Sequence, residues 1–209
     1  QVEQAMFQGE ITLAFPAASI PIDAFRPSGS IRVAGPPGAV RYTTGPAADR
    51  WSGGTLKGVL VMNNGVDVPT FWGGDTGVNL ATLTAWDANW RAACIRPWRK
   101  QLVALDVTKS GTRYPHMVKT SSSALPGAIP ATWDEADASA DTYETDLAET
   151  PDKIIDAMPM GDLLVVYKER SRYALQYIGF PDVIRPQRLP GEVGMLARGC
   201  GVQTPMGHV

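Results

Sequence analysis

The stretch Pro159 to Gly179, PMGDLLVVYKERSRYALQYIG, restricts the possible folds more than any other part of the chain. Leu163 to Tyr167 is a run of aliphatic, β-branched and aromatic residues, Lys168 to Ser171 is a polar tetrad, and Arg172 to Ile178 alternates apolar with polar residues. That order predicts a β-hairpin. Its first strand is apolar at successive positions, so both faces need cover: Leu163, Val165 and Tyr167 on one, Leu164 and Val166 on the other. A strand covered on both faces lies in a sheet between two neighbours. The hairpin therefore predicts a stack of sheets.

The remainder of the chain fits that frame. A length of 209 residues is enough to bury a core without disulfide staples. The 21 glycines and 17 prolines punctuate short apolar runs as turns between strands do, which leaves little room for helix. Cys94 and Cys200 are too few for a disulfide framework and too far apart in sequence for a zinc site, and they read as buried, unjoined thiols. Lys and Arg number 19 against 21 Asp and Glu, a net charge of −2 that excludes the bulk cationic field behind nucleic-acid or anionic-membrane binding. No apolar run approaches the ~20 residues of a membrane helix. QVEQAMFQGE has no basic region leading into an apolar stretch, so no secretory leader is expected there.

Residues 1–57 are broken repeatedly by proline and read as an irregular β segment, with extended pieces at Glu10 to Phe15, Ser30 to Ala34 and Ala39 to Thr43. Leu56 to Trp72 places Asn64-Gly65 between two apolar runs, a strong hairpin signal, and Trp72 to Trp90 reads as a surface loop. Arg91 to Pro97, Lys100 to Val107 and Arg113 to Thr120 form a predicted meander. Ser121 to Pro130 reads as a linker. Ala131 to Asp156 then carries nine acids against the single base Lys153 and interrupts two β units.

The segment ahead of each central strand recurs. Ile95-Arg96-Pro97-Trp98 aligns with Ala157-Met158-Pro159-Met160, 62 positions later, and Pro205-Met206-Gly207-His208-Val209 repeats the pattern 46 positions further on. Units of this size, each a short antiparallel sheet, predict an all-β fold: a β-propeller or part of one, built from meander blades with long loop insertions. The competing fold is a β-sandwich whose strands share a turn motif. On the propeller reading, 58–90 ends one blade, 91–130 is a second, 131–198 a third with the acidic insertion, and 199–209 begins another.

Motifs for chemistry are sparse. The acidic block lacks an Asp-x-Asp-x-Asp-Gly calcium loop, and no acid is paired with a particular base. His116 and His208 have no nucleophile elbow beside them. Arg91, Arg96, Arg99, Lys100, Arg113 and Lys119, interleaved with Trp90 and Trp98, have the composition of a nucleic-acid surface, but strand alternation divides them between two faces. There is no phosphate-binding loop, dinucleotide fingerprint or CxxC, so no cofactor and no metal is expected.

Several segments in order, NNGVDVPTFW, AACIRPWRKQLVALDV, YPHMVKTSS, PATWDEAD, LAETPDKIIDAMPMGDLLVVYKERSRYALQYIG and GMLARGCGV, resemble the β-propeller tail proteins of short-tailed bacteriophages. These are called nozzle, tail tubular protein B, tail hub or packaged-DNA stabilisation proteins. The resemblance covers Leu56 to Val209 and is most specific at Trp133-Asp134-Glu135, Val166 to Glu169, Tyr177-Ile178-Gly179 and Met195 to Gly199. The chain departs from the family at Phe180-Pro181, where a small residue is usual. The resemblance implies a non-enzymatic virion component, assembled in the bacterial cytoplasm as a hexameric ring that closes the tail tube and conducts DNA during ejection. Implied partners are further copies of itself, the tail adaptor, fibre or tip proteins, and double-stranded DNA passing without specific binding. Family members run to several hundred residues, so an N-terminal portion is implied. Asp134, Glu135, Asp137 and Asp141 are the candidates for the DNA channel, because they face no base nearby in the sequence. The alternative function is a receptor-binding adhesin or glycan-acting enzyme on the same scaffold.

Overall fold

The structure, a computed structural model, describes residues 51–74, 79–204 and 207–209, and before them the strands β1 (Ile11–Phe15), β2 (Ala18–Ile22), β3 (Ser30–Ile31) and β4 (Tyr42–Thr43). Those four pair antiparallel as β1 with β2 and β3 with β4. The described residues are all-β, with no helix.

Three four-stranded antiparallel sheets follow, each with its strands in chain order. The first contains β5 (Ser52–Leu56), β6 (Val59–Asn63), β7 (Thr70–Trp72) and β8 (Ala81–Thr82). The second contains β9 (Trp90–Trp98), β10 (Gln101–Lys109), β11 (Thr112–Thr120) and β12 (Tyr143–Asp146). The third contains β13 (Ile154–Met160), β14 (Leu163–Lys168), β15 (Arg172–Gly179) and β16 (Val183–Arg188). A short hairpin, β17 (Gln203–Thr204) and β18 (Gly207–His208), comes last.

The hairpin expected between Leu163 and Ile178 is present as β14 paired with β15. Both faces of β14 are covered, as its two-sided apolarity requires. Leu164 and Val166 enter a core shared with Cys94, Trp98, Val103 and Leu105 of the second sheet. Val165 and Tyr167 face the opposite way, onto Met195, Met158 and Leu189. The second sheet is likewise buried on both sides. Leu102, Ala104 and Val107 meet Leu56 and Val61 of the first sheet, whereas Val103 and Leu105 meet the third. Asp106, at φ 53, breaks the alternation so that Leu105 and Val107 enter opposite cores, and the β10–β11 register shifts there, with Pro115 to Met117 of β11 opposite the single Asp106.

The repeat around the prolines is real at the level of register. Pro97 lies opposite Leu102 and Pro159 opposite Leu164, each five positions on. Both stand on strands with a single neighbour in the sheet, where a missing N–H costs no ladder bond. The third copy does not align. Gly207 pairs with Thr204 in a returning strand, whereas its sequence counterpart Gly161 lies in the turn after β13.

Other expectations need correction. The hairpin expected around Asn64-Gly65 is present as β6 paired with β7, but its connection is wide, Asn64 to Pro69, and the two-residue turn is Lys57-Gly58 between β5 and β6. β5 pairs with β6, so Ser52–Leu56, inside the segment read as irregular, belongs to the first sheet. The supposed surface loop at 72–90 contributes β8 and buries Leu83 and Trp86. The supposed linker buries Ser121, Ser122 and Ala124, with Ser121 Oγ accepting from the Leu102 N–H at 2.9 Å. Part of the acidic block, Tyr143–Asp146, pairs with β11 and is a strand of the second sheet. Cys94 is buried and unjoined as expected, but the unjoined Cys200 is exposed, because the 189–204 segment crosses the outside of β13 and β14 with few side chains turned inward.

Replacing Val165 (1% exposed) by Asp places a charge with no partner among Met195, Met158 and Leu189. The expected loss is several kcal/mol, about 3–5 by analogy with an unpaired buried charge, read as a lowered urea midpoint; an unchanged midpoint would remove the two-sided burial of β14.

Candidate functional site

The acidic segment is organised by short bonds close to its own backbone. Asp134 Oδ1 accepts from the Ala136 N–H at 3.0 Å, and Asp137 Oδ1 from the Ser139 N–H at 3.0 Å and the Ser139 hydroxyl at 2.6 Å. The bonds from Ser139 hold the Asp137 carboxyl below the usual carboxylate range. Asp141 takes the Ser123 N–H at 2.7 Å and the Ser123 hydroxyl at 2.6 Å. Its carboxylate also accepts from Tyr177 of β15 at 3.4 Å, tying the loop to the third sheet. Trp133 is buried and meets Trp86 edge-on, with ring centroids 4.8 Å apart.

Glu135 departs from the expected channel acid. It shares the buried Lys119 ammonium with Glu144, whose Oε2 lies 2.6 Å from Nζ. Glu144 also binds Lys109 at 2.7 Å, and both lysines lie over the Trp90 ring, at 4.8 and 5.1 Å from its centroid. Burial works against the Glu135 charge, but the bond from Lys119 outweighs it and holds the carboxyl below its ordinary value. The premise that these acids face no base fails for Glu135, whose base, Lys119, comes from β11 across the sheet. Asp134, Asp137 and Asp141 are bonded instead by backbone N–H groups and by the hydroxyls of Ser123, Ser139 and Tyr177. The structure thus leaves three of the four candidates together on the loop and diverts the fourth.

Of the six cations that had the composition of a nucleic-acid surface, Lys100 is exposed and the other five are engaged within the chain, Lys119 as above. Arg91 donates to Val66 O at 2.6 Å, and Arg113 grips Asp106 with two bonds of 2.8 and 2.6 Å. Arg99 lies 5.0 Å over the Tyr177 ring, 3.6 Å from Asp162. Arg96 donates through Nε and Nη2 to both oxygens of Asp156, each at 2.7 Å.

Asp156 is the most elaborately bonded carboxylate among the described residues. It is 1% exposed, and it also accepts from the Ala157 N–H at 2.8 Å, the Gly199 N–H at 2.9 Å and the Cys94 thiol at 3.3 Å. Burial opposes its ionisation, yet the Arg96 bonds and the two backbone N–H groups keep its carboxyl below the ordinary range. Burial, with the Asp156 charge beside it, pushes the Cys94 thiol up to about 12, so it is a poor nucleophile.

Lys168, read from sequence as part of a turn, is fully buried. Its ammonium donates to Leu147 O at 2.8 Å, Thr150 O at 2.6 Å and Thr150 Oγ1 at 2.7 Å, with Asp152 at 3.6 Å. Asp152 in turn accepts from the Arg170 and Ser171 N–H groups at 2.8 and 3.0 Å. The signal for Lys168 was present in its alternation with Leu164 and Val166, which puts it on the core face. Nothing in the sequence distinguishes Asp156 from the other eight acids of its block. His116 Nδ1 lies 3.1 Å from Asp152 O, and His208 sits between Tyr167 and Pro159 O, so both are engaged in holding segments together. No group of three or more His, Cys, Asp or Glu suited to a metal occurs among the described residues.

Removing Arg96 alone, as Arg96→Met, should cost about 3–5 kcal/mol by stranding Asp156, and Arg96→Met with Asp156→Leu should cost less than Arg96→Met alone; a double variant worse than both singles would contradict this. Asp152, Asp156 and Glu135 all have folded carboxyl pKa values below their unfolded ones. Their contribution is present above about pH 4 and lost as pH falls through the folded values. The melting temperature should therefore hold near neutrality and fall in acid, with Asp152→Asn giving a shallower fall.

Comparison of the chain with protein-family models and with curated proteins finds no match.

Proposed function

We propose that this chain is a structural component of a short-tailed phage virion, part of the nozzle or hub ring that closes the tail tube, retains packaged DNA and conducts it during ejection. The observation that carries the reading is the connection between successive sheets. Ser52, Cys94 and Asp156 occupy equivalent places on the first strands of their sheets, each opposite a residue eleven positions on: Asn63, Leu105 and Tyr167. Each bonds to the next unit along the chain. Ser52 Oγ accepts from Ile95 N at 3.1 Å, Cys94 Sγ donates to Asp156 at 3.3 Å, and Asp156 accepts from Gly199 N at 2.9 Å. Four-stranded meanders joined first strand to first strand are what propeller blades require at their inner ends, and the propeller is part of this proposal.

The electrostatics support a conduit over a DNA-binding surface. Attraction to a duplex needs unpaired Lys and Arg that displace counterions from phosphate. Here Arg96, Arg113, Lys109 and Lys119 are neutralised by carboxylates of the same chain, and Asp134, Asp137 and Asp141 form the acidic outer part of the loop beyond β11. The exposed Lys57, Lys100, Arg170, Arg185 and Arg188 lie outside these pairs, so the reading requires them to face away from the duplex. One observation favours the adhesin or glycan-acting alternative: an open groove of about 530 Å³ lined by Glu135, Glu144, Tyr143, Asp182 and Arg185. A glycosidase needs one carboxyl raised to act as acid, whereas Glu135 is held low by Lys119. This direction at Glu135 favours the conduit over a glycan-acting site.

Negative-stain microscopy of the purified protein tests the proposal: rings with a central opening support it, and dispersed monomers that bind or cleave glycans overturn it. The electrostatic part predicts no salt-dependent DNA binding by the parent, but measurable binding that weakens with salt once Asp134, Asp137 and Asp141 are all replaced by Lys. Tight binding by the parent would contradict the conduit.

A further inference from the structure

The connection between β6 and β7 contains Asn64-Gly65, a pair open to intramolecular attack because glycine offers no Cβ to hinder the approach of its nitrogen. In a free chain the deprotonated Gly65 nitrogen bonds to Asn64 Cγ while the Cγ–Nδ2 bond breaks and ammonia leaves. Water then opens the resulting five-membered imide at one of its two carbonyls, leaving aspartate or isoaspartate.

The fold holds Asn64 away from that path. The residue is 2% exposed. Its Oδ1 accepts from the Val66 N–H at 3.1 Å and the Asp67 N–H at 2.8 Å, and its Nδ2 donates to Asp67 Oδ2 at 2.7 Å. These bonds hold the edge of the side-chain amide toward the loop backbone, whereas attack needs its face turned to the Gly65 nitrogen. The loop is braced from outside by Arg91 Nε on Val66 O at 2.6 Å and by the Leu83 N–H on Pro69 O at 2.7 Å.

The same contacts make the product incompatible with the loop. Deamidation replaces the Nδ2 donor with an oxygen that has no proton to give Asp67, so two carboxylates would stand where a 2.7 Å hydrogen bond now closes the loop. An isoaspartate would also lengthen the backbone between positions 64 and 65. We propose that Asn64-Gly65 is a deamidation site gated by the first sheet: closed while the loop is folded, reactive when it opens, and unable to re-form the loop afterwards. Local opening then leaves a permanent chemical mark on the chain.

Peptide mapping by mass spectrometry, with fragmentation that separates aspartate from isoaspartate, tests this on the full chain incubated natively, in urea, and as Asp67→Ala natively. Deamidation at Asn64 should be at least about tenfold slower in the native chain than in urea, since it must wait for local opening, and Asp67→Ala should raise the native rate. Equal rates in native and unfolded chains, or an unchanged rate in Asp67→Ala, would overturn the gate. Irreversibility is read separately. Asn64→Asp should lower the melting temperature, and adding Asp67→Asn should restore it, because donor and acceptor are then exchanged across the same contact. An Asn64→Asp protein as stable as the parent would overturn the claim that the product cannot close the loop.

Discussion

The structure depends on a polar contact made at one recurring place, the first strand of each sheet, eleven positions before its partner on the returning strand. At the first joint this is a hydroxyl, Ser52; at the second a thiol, Cys94; at the third a carboxylate, Asp156. Apolar faces alone do not fix how two sheets sit against each other, since hydrophobic burial has no direction. A hydrogen bond at a fixed position does. Asp156 takes the most demanding form of this role, because an isolated buried carboxylate would be costly and only the Arg96 fork with two backbone N–H groups makes it tolerable. One side chain thereby ties β9, β13 and the segment at Gly199 together.

The charge distribution follows the same logic. The lysines that strand alternation carries into the interior, Lys119 and Lys168, are each met by nearby oxygens: Glu135 of the acidic loop and Glu144 of β12 for one, the carbonyls of Leu147 and Thr150 for the other. Each buried ammonium therefore fixes a long connection, the acidic loop in the second sheet and the 147–152 turn entering the third. The residues on which the family resemblance rests most specifically hold the same joints. Trp133 packs on Trp86, Lys168 fills the carbonyl cage, Met195 N bonds Lys168 O, and Gly199 N bonds Asp156. Each of them has a structural task within this chain.

Much of the fold was legible in the sequence because it follows from period-two patterning. The two-sided apolarity of Leu163 to Tyr167 called for cover on both flanks, which the second sheet supplies on one and Leu189 and Met195, outside any strand, supply on the other in place of the expected sheet; the recurrence of Pro97 and Pro159 marked equivalent strands correctly. The misreadings came where pattern and pairing separate. Tyr143–Asp146 looked like part of a solvated acidic run because a short outer strand need bury little, and its membership in the second sheet is decided by β11 alone. Pro205 to Val209 copied the composition of the earlier turn without its register. Asp156 was invisible for a different reason: its partners Arg96, Cys94 and Gly199 are distant in sequence, and no local spacing announces a contact across two sheets.

On this account the inter-sheet carboxylate, rather than local secondary structure, holds the 195–204 segment onto the third sheet. The Gly199 amide lies outside any strand, so its protection can come only from Asp156 and the stability of the joint around it. Native-state hydrogen exchange resolved to single amides measures this directly. The account predicts that the Gly199 N–H exchanges as slowly as core amides of β13 and β14, at a rate set by cooperative opening of the third sheet. Exchange of Gly199 as rapid as that of exposed loop amides, with β14 still protected, would contradict it.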